Sequence, residues 1–118
     1  MTYTARQGDI IWLDFDPQVG HEQKGRRSAV IISNSDFNAY YHGQSAMVCP
    51  ITSTDRGIGH QIKLDNRTKT TGFVLSDQTK ILNIAKRNPQ FIEAIPSDLL
   101  LELVDIVYSF IYVENQYE

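Results

Sequence analysis

The sequence predicts a small, mainly β domain of the α+β class: a strongly curved, mostly antiparallel sheet or partial barrel with one C-terminal amphipathic helix. Three observations predict it. Short apolar runs separated by turn residues fill the first 95 positions, and an i, i+3, i+4 apolar stripe closes the chain. No repeat, low-complexity tract or linker divides the 118 residues, so they read as one domain, 1–118, able to bury a core without disulfides or metals.

Taken in order, DIIWLDF (Asp9–Phe15) reads as the first strand, closed by Asp16-Pro17. AVIIS (Ala29–Ser33), rich in β-branched residues, is the second. Ser35 is the expected cap of a short helix over Asp36–Tyr41, ended by Gly43. AMVCPI (Ala46–Ile51) is the third strand, with Pro50 marking its end or an edge position. Gln61–Leu64, Gly72–Ser76 and Phe91–Ile95 supply three more. After Pro96-Ser97, the stripe Leu99, Leu100, Leu103, Val104, Val107, Phe110 and Ile111 predicts a terminal helix packed on the sheet.

Composition excludes some functions. No apolar run approaches the roughly 18 residues of a membrane span, and MTYTARQGD lacks a signal peptide's hydrophobic centre. The single cysteine, Cys49, forms no intrachain bridge, and a cytoplasmic protein is expected. The charge is unevenly placed. Eleven Lys and Arg against eight acids leave residues 1–87 at +3, while six acids and no Lys or Arg leave 88–118 at −6, together the chain's −3. A basic body with an acidic end suits a polyanion on one face, and equally a solvated mixed surface.

Chemistry in such folds sits on loops. The first candidate is GHEQKGRR, where Gly20 and Gly25 bracket polar residues and Arg27 stands just ahead of an apolar strand. A permanently charged, forked donor on an anchored backbone suits a phosphate; a solvated loop arginine is the alternative. The second is the hydroxyl run Thr52-Ser53-Thr54, able to bond a phosphate or its own backbone. The third is Ser76-Asp77-Gln78-Thr79-Lys80, where Asp77 caps a turn, orients an arginine or reads a base, and Lys80 meets a phosphate. His21, His42 and His60 are scattered, so no zinc spacing occurs, and there is no P-loop or GxGxxG. Cys49 sits in an apolar run and reads as core, and Trp12 as a core or dimer contact or a base-stacking platform.

Gly8-Asp9-Ile10-Ile11-Trp12, Asp16-Pro17, Gly20-His21-Glu22-Gln23 with Gly25 and Arg27, Pro50-Ile51-Thr52-Ser53 and Gly72-Phe73-Val74-Leu75-Ser76-Asp77-Gln78 occur in one order over nearly the whole chain. In this the sequence resembles the MazF/PemK family of toxin endoribonucleases from type II toxin–antitoxin systems. The resemblance implies an SH3-like, partly open antiparallel barrel with a C-terminal helix, a homodimer, and an antitoxin that lays an extended acidic tail across the RNA groove. It implies metal-independent cleavage of single-stranded RNA by the 2′-hydroxyl, leaving 2′,3′-cyclic phosphate and 5′-hydroxyl ends, with no cofactor. It also implies catalytic roles for Arg27 and Thr52 and, from one branch, roles for His21 and Asp77. Glu22, Gln23, Lys24, Arg26, Ser53, Thr54, Gln78 and Lys80 are then the RNA-binding candidates. Two positions depart from the family pattern: Ser28 follows the arginine in place of proline, and Leu75 stands where the aspartate-using branch has an arginine. The rival readings are a CcdB-like gyrase inhibitor, whose Trp-Gly-Ile-type terminus is absent from Glu114-Asn115-Gln116-Tyr117-Glu118, and a non-catalytic RNA-binding barrel.

Overall fold

A computed structural model describes residues 3–15 and 25–115. Among these, seven strands and two α-helices follow in the order β1 (Asp9–Asp14), β2 (Arg26–Ile31), α1 (Ser35–Tyr40), β3 (Ser45–Thr52), β4 (Gln61–Lys63), β5 (Phe73–Leu75), β6 (Lys80–Asn83), β7 (Gln90–Ala94) and α2 (Ser97–Ser109). All pairings are antiparallel. The sheet runs β4-β5-β3-β2-β1-β7 with β6 also on β3, and no pairing joins its two ends. It is a curved, unclosed sheet.

The apolar runs are continuous rather than alternating because both faces of the central strands are covered. On one face Ile10, Val30, Cys49, Ile51 and Val74 pack with Leu103 of α2. On the other, Ile11, Leu13, Ala29, Ile31 and Val48 pack with Ala5 and Ile84. Leu103 is fully buried, and Leu99, Leu100, Val104, Ile106 and Val107 pack around its core. The expected stripe ends early: α2 stops at Ser109, leaving Phe110 at its cap and Ile111 72% exposed.

Several local expectations are corrected. Asn34, not Ser35, caps α1, its side-chain oxygen accepting the Phe37 amide at 3.0 Å. The strand β6 is an addition, invisible in the sequence because Ile81 is 52% exposed and the short run KILN shows no apolar face. Pro50 lies within a central strand, not at an end or edge. The Ile32 amide bonds the Met47 carbonyl at 2.9 Å, and alternation along the ladder makes Pro50–Ala29 a non-hydrogen-bonded pair. The Pro50 nitrogen therefore faces away from β2, into the gap where β6 has ended at Val48 and β5 has yet to begin at Ile51. A missing N–H costs nothing there.

Candidate active-site cleft

Arg27 does not precede the second strand; it belongs to it. Antiparallel pairing with β1 carries β2 back from the apolar run to Arg26, so that Arg27 lies opposite Leu13 and Arg26 opposite Asp14. The Phe15 amide bonds the Gly25 carbonyl at 2.8 Å, which by alternation makes Leu13–Arg27 a hydrogen-bonded pair. The Arg27 peptide is thereby clamped while its half-buried side chain lines a cleft. The cleft, of about 180 Å³, is formed by Trp12, Arg26, Arg27, Ser28, Thr52 and Ser53, with Ile51 and Thr71 beneath and beside them.

Thr52 closes β3 opposite Phe73 and is only 6% exposed. Its hydroxyl oxygen accepts the Thr54 amide at 3.2 Å, the backbone-capping use weighed for it above. That bond occupies one lone pair and leaves the hydroxyl hydrogen to donate, so the same contact that fixes the side chain aims a donor. The turn beyond is tied down too: the Gly57 amide bonds Asp55 at 2.8 Å and the Arg56 amide bonds Gln61 at 3.0 Å. Arg26 reaches Asp14 at 3.2 Å. Asn88 first, and Arg26 second, hold the Asp14 carboxyl below the usual carboxylate range. This exposed pair borders the cleft, where Trp12 is 40% exposed.

The other candidates fall elsewhere. His21, Glu22, Gln23 and Lys24 lie outside the described residues. Thr54 is exposed in the turn and does not line the cleft. Asp77 sits in a 3-10 turn after β5, at the end remote from the Thr52–Phe73 pair, and meets His60 at 3.5 Å. Gln78, in the same turn, is 7% exposed and faces the interior. Lys80 pairs with Val48, four residues along β3 from Thr52, or about 13 Å. Thr71, which also lines the cleft, carried only a faint sequence signal: a second hydroxyl-rich stretch, Thr70-Thr71, before a strand.

Cys49 is fully buried, and burial pushes its thiol up to about 12, so it is core and not a nucleophile. Among the described residues no three His, Cys, Asp or Glu side chains form a metal-holding group, and no helix is long and apolar enough to cross a membrane.

A clamped guanidinium and a fixed hydroxyl on adjacent strands of a small β protein, with a second arginine and a serine beside them, make an open cleft whose donors have the chemistry to receive a phosphate-like anion. Comparison with known proteins makes this specific: residues 6–111 match the PemK-like, MazF-like toxin family of type II toxin–antitoxin systems, and the chain belongs to that family. It is 35% identical over 79 residues to the endoribonuclease toxin MazF of Escherichia coli K12, covering 66% of this chain and 68% of that one. The crystal structure of MazF from Deinococcus radiodurans superposes with a TM-score of 0.83 at 31% identity, covering 92% of this chain and 96% of that one. A MazE–MazF crystal structure from the same organism gives 0.78 at 31% identity with the same coverage. The SH3-like, partly open barrel is thus the fold of this chain.

Proposed function

We propose that this endoribonuclease toxin cuts single-stranded RNA, mRNA included, at the Arg27–Thr52 cleft without a metal ion, by attack of the 2′-hydroxyl on the adjacent phosphate. The products are 2′,3′-cyclic phosphate and 5′-hydroxyl ends. The observation that carries the reading is the convergence of Arg27 and Thr52, from neighbouring strands, on one cleft.

In-line attack builds negative charge on the nonbridging oxygens and on the departing 5′-oxygen. The described lining offers two guanidiniums and several hydroxyls but no carboxylate, a donor set suited to absorbing that charge directly. Arg27 stabilises the phosphorane and protonates the leaving oxygen, and Thr52 bonds the scissile phosphate. Arginine is a poor base, so the 2′-hydroxyl proton is assigned to His21, in the segment that leads into β2. Arg26, Ser53 and Trp12 position the strand. Asp77, paired with His60 at a distance from the cleft, has no step assigned to it.

The partners follow the same reading. An acidic extended antitoxin tail competes with RNA for this cationic cleft; that a MazF relative forms a MazE–MazF complex supports an antitoxin partner. A second copy of the chain accounts for the exposed apolar end, where Tyr108, Ile111 and Val113 are 64%, 72% and 86% exposed.

The test is end-labelled single-stranded RNA incubated with the pure protein in EDTA. Fragments with cyclic phosphate ends, lost in Arg27→Ala, are expected. Shifted but uncut RNA would instead make the chain a silent binder, and no RNA interaction at all would favour a gyrase-type inhibitor.

A further inference from the structure

The cleft does not end at Ser53. A groove of about 780 Å³ opens from it, sharing Ser53 and Thr71 with the cleft and lined further by Lys63, Asn66 and Phe73. Its far wall is the loop joining β4 to β5, and that loop is held from two sides. The Glu93 carboxylate on β7 accepts the amides of Lys69 and Thr70 at 3.0 and 2.8 Å and the Thr70 hydroxyl at 2.8 Å. Arg67 bridges Asp65 and Asp98 of α2, each at 2.8 Å. The groove is therefore preformed, and a ligand entering it meets little ordering cost.

Its floor has a regular order. Thr52 lies opposite Phe73, and Phe73 opposite Lys63, so the three form one row across β3, β5 and β4. Residues directly opposite share a sheet face, and two interstrand steps span about 10 Å. Phe73 is half-buried yet belongs to neither core cluster, while Lys63 is exposed. Along the row stand a hydroxyl, an aromatic ring and an ammonium.

We propose that this row is a subsite for the nucleotide flanking the scissile phosphate. The phosphate sits at Thr52, the base stacks on Phe73, and the next phosphate meets Lys63, with Asn66 and Ser53 facing the base edge. A ring accepts any base by stacking, so selectivity among bases falls to the Asn66 amide. The proposal rests on the endoribonuclease reading and deepens it.

The experiment is a cycle between protein and substrate. Sequencing fragment ends from wild-type digestion of a random RNA pool defines a preferred site, and oligonucleotides of that sequence receive a single abasic position on either side of the cut. With wild type, one flanking abasic position should lower kcat/KM by about 5- to 150-fold, chiefly through KM. In Phe73→Ala that penalty should vanish, while Phe73→Tyr keeps it; Phe73→Leu replaces the alanine variant if the latter does not fold. Lys63→Gln should reduce the salt slope of RNA binding by about 0.7, one phosphate contact on a single strand. Penalties from Phe73→Ala and from every abasic position that simply multiply would overturn the subsite while leaving the cleavage reading intact. Wild type that cuts no RNA would sink both.

Discussion

Gly72 and Thr52 touch where no side chain fits: a Cβ on Gly72 would collide with the Thr52 carbonyl oxygen, and Gly72 adopts a φ of +120°. The start of β5 can lie against the end of β3 only because that position is glycine. The contact joins the start of β5 to the end of β3, where Thr52 stands. Gly72→Ala is therefore expected to destabilise the fold by more than about 1 kcal/mol and to lower RNA cleavage further than the stability loss explains. Chemical denaturation beside cleavage rates, both at a temperature where the variant stays folded, makes the comparison. Wild-type activity in the variant would mean that the strand end tolerates displacement.

Arg27→Ala should reduce cleavage on the order of a hundredfold or more, as removal of an oxyanion donor does, with an unchanged melting temperature. Arg27→Lys should restore little of it, since an ammonium lacks the forked geometry. Single-turnover rates on one oligonucleotide compare all three proteins. A folded Arg27→Ala protein that cuts normally would strip the residue of its role.

For Thr52 the hydroxyl is expected to matter and the methyl not. Thr52→Val removes a hydrogen bond to a charged group, a loss of about 10- to 150-fold, whereas Thr52→Ser should stay within a few-fold of wild type. The valine variant also orphans the Thr54 amide, so its circular dichroism must match wild type before the rates are read.

Acid should loosen the groove wall. Arg67 holds the Asp65 carboxyl down to about 2 and lowers that of Asp98. Burial works to raise the Glu93 carboxyl, but the amides of Thr70 and Lys69 keep it below its ordinary value. A carboxyl depressed in the folded state stabilises above its unfolded pKa and loses that contribution as pH falls through its folded one. Stability should thus decline between about pH 4 and 2. Glu93→Gln, followed by denaturant midpoints against pH, should flatten part of that decline. An identical acid limb in the variant would exclude Glu93 from it.

Cys49 should resist alkylation at neutral pH. Its thiol is fully buried and shifted far from neutrality, so iodoacetamide should label it only under denaturing conditions. Mass spectrometry of the treated native protein checks this, and rapid labelling would indicate frequent opening of β3.

The sequence by itself determined the central strands and the terminal helix, because runs such as DIIWL and AVII and the stripe around Leu103 admit few other burials. It also brought forward Arg27 and Thr52, though their pairing came from the order of the family motifs and not from periodicity. Tertiary structure decided the rest. Pairing with β1 drew Arg27 into β2, the gap between β5 and β6 admitted Pro50 to a central strand, and the register separated Lys80 and Asp77 from the cleft. It also aligned Thr52, Phe73 and Lys63, which lie 21 and 10 residues apart in the chain. Hydrophobic periodicity records which face a residue turns to the core, whereas a cleft depends on which strands become neighbours and in what register, and that is settled only when the whole sheet closes over its core.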